Sequence, residues 1–115
     1  MNEKLKDRLR EIVSSTFSFS VHLRKGNTFY KIEHDFDSDY APYYSTDYYR
    51  YIIADEDKAA PDKPVKPDVC IVDHFAAARI LDELLDDDEI QYIYACYRLI
   101  EDRRITEDGR IVLAI

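Results

Sequence analysis

The sequence predicts an α+β domain: an N-terminal helix, a three-stranded antiparallel meander, a short fourth strand, two C-terminal helices and a final strand. Three observations predict it. Leu5, Leu9, Ile12 and Val13 recur at helical spacing. Phe17 to Arg24 alternates strictly, with Phe17, Phe19, Val21 and Leu23 on one side and Ser18, Ser20, His22 and Arg24 on the other. Lys25-Gly26-Asn27 then supplies residues that tolerate positive φ, the chemistry of a hairpin turn.

Asn2 is the expected cap of the first helix, which runs to about Ser14, where Ser14-Ser15-Thr16 competes for backbone partners and stops it. The second strand spans about Thr28 to Phe36, with Tyr30, Ile32, His34 and Phe36 on one face, so His34 is expected among apolar neighbours. Ser38 to Thr46, broken by Pro42, reads as a loop. The third strand covers Asp47 to Ala54, with Tyr49, Tyr51 and Ile53 opposite Tyr48, Arg50 and Ile52. Residues 55–68, with Pro61, Pro64 and Pro67 at every third position, read as a stiff linker or loop within a single domain of residues 1–115. Val69 to Val72 is an apolar run of strand length. Asp73 caps a helix from His74 to about Leu85. Asp86-Asp87-Asp88 is expected to cap a third helix, Glu89 to about Arg103. That helix carries Ile90, Ile93, Tyr94, Tyr97 and Ile100 on one face and Tyr92, Cys96 and Leu99 on a second. Being apolar on two sides, it suggests a homodimer through residues 89–103. Glu107-Asp108-Gly109 is expected to turn the chain into a last strand at Ile111 to Ile115.

Charge narrows the function. The 115 residues carry a formal net charge of −8, which disfavours direct contact with nucleic acid or an anionic membrane. No apolar run reaches the ~18–20 residues that cross a bilayer, and residues 1–13 lack an apolar signal core, so a soluble, cytoplasmic protein is expected. With only two glycines, Gly26 and Gly109, no phosphate-cradling loop and no nucleophile elbow can be assembled. Cys70 and Cys96 lie in apolar segments without metal-type spacing and read as buried free thiols, with a disulfide between them left open.

The charge is concentrated. His34 to Asp57 holds seven acids against one base, Arg50, and six of the ten tyrosines. Tyrosine offers large contact area at low side-chain entropy, and surrounding acids select basic partners and speed encounter. Asp35, Asp37, Asp39, Tyr40, Tyr43, Tyr44, Asp47 and Tyr48 are therefore the candidate partner-binding residues. Alternate residues of an extended chain lie about 6.6–6.8 Å apart, so Asp35, Asp37 and Asp39 would project charge as a row, like a nucleic-acid backbone. In charge character, not in motif, the stretch resembles small acidic phage inhibitors of restriction or CRISPR enzymes.

The expected function is thus a non-enzymatic, acidic protein-binding module, an inhibitor or nucleic-acid mimic acting on a basic protein partner, with no cofactor. Two alternatives remain. Tyr43, Tyr49 and their neighbours would cage a cation or stack on a base in a small-ligand binder. His34, Asp35, Asp37 and Asp39 would bind a hard divalent metal in a metal-dependent hydrolase. The acids match the start of an EF-hand loop, but Tyr40 stands where its glycine is needed and Thr46 where its final Glu is needed. Cys70, Asp73 and His74, close together at a strand end and helix start, form a weaker constellation.

Overall fold

Residues 3–15, 18–34, 48–56, 66–101 and 104–114 are described by a computed structural model. They form α1 (Glu3–Ser15), β1 (Ser18–Lys25), β2 (Thr28–His34), β3 (Tyr48–Asp55), β4 (Asp68–Asp73), α2 (His74–Leu85), β5 (Tyr92–Glu101) and β6 (Arg104–Ala114). The strands make one antiparallel sheet in the order β4-β3-β2-β1-β5-β6. The meander β1-β2-β3 is present, and β4 extends it.

Both helices pack on one face of this sheet. Side chains directly opposite one another across an antiparallel ladder share a face, so the register fixes the two layers. Leu23, Val21 and Phe19 of β1 align with Tyr30, Ile32 and His34 of β2 and with Ile93, Ala95 and Tyr97 of β5. This row is buried beneath Leu9, Ile12 and Val13 of α1 and Ala77, Leu81 and Leu85 of α2. Each such fully buried aliphatic side chain contributes about 1.5–3 kcal/mol. Polar contacts fix the helices in register. Arg10 Nε donates to Asp82 at 2.5 Å, joining α1 to α2. The Arg8 guanidinium lies 5.0 Å over the Tyr97 ring and donates to the Tyr97 hydroxyl at 2.9 Å and to Glu107. Asp73 caps α2 as expected, its carboxylate accepting from Ala76 N at 2.8 Å.

The expected third helix is absent: residues 92–101 are strand β5, and 104–114 form the strand paired with it. The sequence Tyr92-Ile-Tyr-Ala-Cys-Tyr-Arg satisfies both periods, because a strand with aromatics on both faces also fills two helical faces. Its β-branched and aromatic content favours the sheet. A dimer through helix 89–103 has no such helix to use, and β5 lies in the sheet interior between β1 and β6. The acidic triplet does not cap a third helix either. Asp87 instead holds Lys25 Nζ at 2.8 Å and accepts from Glu89 N at 2.9 Å, which keeps its carboxyl below the usual range.

Gly26, at φ 57°, turns β1 into β2 as expected. Gly109 does not turn the chain. It sits within β6, directly opposite Tyr97, and a Cβ there would lie 2.5 Å from the Tyr97 hydroxyl and 2.6–2.7 Å from the ring. The missing side chain is what lets the ring lie across the strand beneath Arg8.

Cys70 and Cys96 are free. Cys70 is exposed rather than buried, and Cys96 is half-buried. They cannot pair, because β3, β2 and β1 stand between their strands and the two thiols point to opposite faces.

Candidate functional site

Among the described residues no element covers the face of the sheet away from the helices, and its register can be read across all six strands. One row is Ile71, Arg50, Glu33, Ser20, Cys96 and Arg110. The next is Val69, Ile52, Lys31, His22, Tyr94 and Val112. Beyond the first row, Ser18 faces Arg98, and Arg98 faces Asp108. Ser18, Ser20, Glu33, Arg50, Arg98 and Arg110 are among the residues that line a shallow, open concavity of about 720 Å³ at one end of the sheet.

Most of its charges are already committed. Glu33, only 16% exposed, receives Arg50 Nη2 at 2.6 Å and Lys31 Nζ at 3.0 Å. The Arg110 guanidinium lies 5.7 Å over the Tyr94 ring. The Cys96 thiol donates to the Tyr94 hydroxyl at 2.9 Å, and this contact, with burial, pushes the phenol upward. Arg98 differs. It is exposed, and although it stands directly across from Asp108 it makes no ion pair among the described residues. Among the described residues it has neither an ion pair nor a ring contact, which leaves it open to an anionic group, whereas Arg110 stacks on Tyr94.

His22 is the titratable centre of this face. Its Nε2 lies 3.1 Å from Ser20 Oγ, and its ring packs 5.4 Å from Tyr94. Burial, reinforced by Lys31, lowers its pKa, with Glu33 opposing. A neutral imidazole beside a serine hydroxyl is the spacing of a nucleophile and its base. Among the described residues, however, no carboxylate holds the other ring nitrogen, so the pair lacks the third member that orients such a base. Sequence alternation places Ser20 and His22 on one face; it carries no sign that Tyr94 and Cys96 join them, because the pattern of residues 92–96 fits a helix as well as a strand.

Of the residues singled out by sequence, Asp35, Asp37, Asp39, Tyr40, Tyr43, Tyr44 and Asp47 lie outside the described residues. Tyr48 is placed as the first residue of β3, opposite Asp73. The segment's two anchors are therefore neighbours in the sheet: β2 ends at His34 and β3 begins at Tyr48, at the end of the sheet that carries the concavity.

His34 is 7% exposed and turned to the helix-covered face, its ring 4.4 Å from Tyr49 and 6.2 Å from Phe19. Its Nδ1 is buried without a hydrogen-bond partner among the described residues, as is His74 Nε2, whose ring lies 6.0 Å from that of Tyr49. Among the described residues no group of three or more His, Cys, Asp and Glu side chains gathers as for a metal. Tyr49, 7% exposed, is a core residue and not a member of an accessible tyrosine cage. Cys70, Asp73 and His74 form no relay, because Asp73 is engaged as the α2 cap. No described helix is long and apolar enough to cross a membrane. Comparisons with protein-family models, curated proteins and solved structures find no match to this chain.

Proposed function

We propose that the protein is a non-enzymatic binding module for a basic, nucleic-acid-binding protein, acting as an inhibitor through nucleic-acid-like charge. One observation carries this reading. A 13-residue segment with four aspartates and three tyrosines, 35–47, joins two adjacent strands at the end of the sheet that carries the concavity. A segment so rich in carboxylates attracts a cationic surface over several ångströms, and tyrosine side chains supply contact area in an interface.

The uncovered face fits a protein surface better than a polyanion. Arg24, Lys31, Arg50, Arg98 and Arg110 are interspersed there with Glu33, Asp73 and Asp108, and with exposed Val69, Ile71 and Val112. Such a mixture is the composition of a polar rim around apolar contacts. The test is affinity capture of basic proteins at low and high salt. Capture is expected to weaken steeply with salt and to fall at least tenfold in the double variant Asp37→Asn, Asp39→Asn. Capture indifferent to both would remove the charge argument.

A second reading rests on Arg98. Unpaired beside Ser18 in a concavity, it suits a small ligand bearing a carboxylate or phosphate. Thermal stabilisation by inorganic phosphate or citrate, lost in Arg98→Ala, would favour it over the first.

A further inference from the structure

We propose that a second copy of this chain docks on β4, the two strands running antiparallel about a two-fold axis so that both sheets join into one. Among the described residues β4 is a terminal strand, with β3 on one side and no strand on the other. A sheet edge left in this state is normally protected by charge, by proline or by a bulge. The opposite edge obeys that rule: the middle of β6 carries Glu107, Asp108 and Arg110, all exposed. The middle of β4 is Val69-Cys70-Ile71-Val72, with Pro67, Asp68 and Asp73 only at its ends. Val69 is 53% and Ile71 63% exposed on the open face, and Cys70 is exposed on the other.

The strand is complementary to itself in one register. Joining the two sheets without exchanging their faces requires residues of like parity to stand opposite one another. Two symmetric registers of full overlap satisfy this. Centring on Ile71 sets the acid Asp73 against Val69 at both ends. Centring on Cys70 sets Val69 against Ile71 of the second copy, twice, and Asp68 against Val72. It also places Asp73 opposite Pro67 of the second copy, next to Lys66. Each register sets one aspartate of each copy against a valine, but only the second joins Val69 to Ile71 on the open face and brings Lys66 towards each Asp73, and these contacts select it. Ile52, beside Val69 on β3, extends the apolar strip on each side. Because the other edge is charged, the assembly closes at two copies instead of growing. Paired over five residues, the interface is small, so association is expected in about the micromolar range.

Sedimentation equilibrium of the full chain tests this. The mass is expected to move from one chain to two with rising concentration. Ile71→Lys and Val69→Lys, at exposed sites that leave the far-ultraviolet circular dichroism unchanged, are each expected to weaken association at least tenfold. Val112→Lys, at the far side of the same face, is expected to leave it intact. A short bismaleimide should link the dimer through Cys70, in the wild type and in Cys96→Ser, and fail in Cys70→Ser. A single-chain mass at every concentration, a dimer indifferent to Ile71→Lys, or a link through Cys96 would overturn the proposal. Capture of a basic partner by the Ile71→Lys protein separates this interface from the function proposed above.

Discussion

The two faces of the sheet are built from the same strands, yet they follow different rules. On the covered face, Val21, Leu23, Ile32, Ile93 and Ala95 are at most 1% exposed and belong to the apolar core shared with the helices. On the open face, one residue along in each strand, stand Ser20, His22, Lys31, Tyr94 and Cys96, linked by hydrogen bonds and ring contacts rather than by burial. The difference teaches where stability and function are separable. Side chains of the first face hold the fold; those of the second are free to be chosen for what they meet.

Substitutions should divide along the same line. Ile93→Ala removes a fully buried side chain and is expected to cost about 2–5 kcal/mol in urea unfolding. Val112→Ala, at 59% exposure on β6, should cost no more than about 0.5 kcal/mol. Equal effects would mean that the open face is covered in solution. Gly109→Ala comes next. Its Cβ must displace the Tyr97 ring, and with it the contacts to Arg8 and Glu107 that seat α1, for about 1–3 kcal/mol. Restoration of stability in Gly109→Ala with Tyr97→Leu would identify that collision as the cause.

The smallest expected effect is one of pH, and it belongs to the open face. The folded pKa of His22 lies below its ordinary value of 6.5, so the unfolded chain binds the extra proton more readily. Stability therefore rises with pH up to about 6.5 and is lost as the pH falls below it. Asp87, whose pKa lies below 3.8, loses its contribution only in more acidic solution. Unfolding followed from pH 7.5 to 5 should show a slope in the wild type that is flattened in His22→Gln. An unchanged slope would assign it to another group.

The sequence disclosed α1, the meander and the Asp73-capped helix because each carries one unambiguous signal: a single apolar stripe, strict alternation, a capping side chain. Residues 89–103 carried two signals at once. Choosing between them needs the neighbouring strand, since Ile93, Ala95 and Tyr97 match Leu23, Val21 and Phe19 only after the chain has returned from α2. The same non-local pairing hid the candidate site. Ser18 lies far along the chain from Arg98 and Asp108 and meets them only through β5. The role of Gly109 was hidden likewise, because a glycine after Glu-Asp reads locally as a turn, whereas its real constraint is a ring on another strand.

The strand order has a kinetic consequence. β1 to β4 are joined edge to edge by successive connections, and β5 with β6 forms a self-contained hairpin, so within the sheet the β1–β5 pairing is the one that unites strands most distant along the chain. Loop-closure entropy falls almost entirely on that seam. Its turn end is pinned by Gln91 N to Arg24 O at 2.8 Å and by Lys25 to Asp87 at 2.8 Å. Folding is thus a docking of two prefabricated halves, and the seam, more than any single strand, sets how fast the molecule assembles and where it first comes apart.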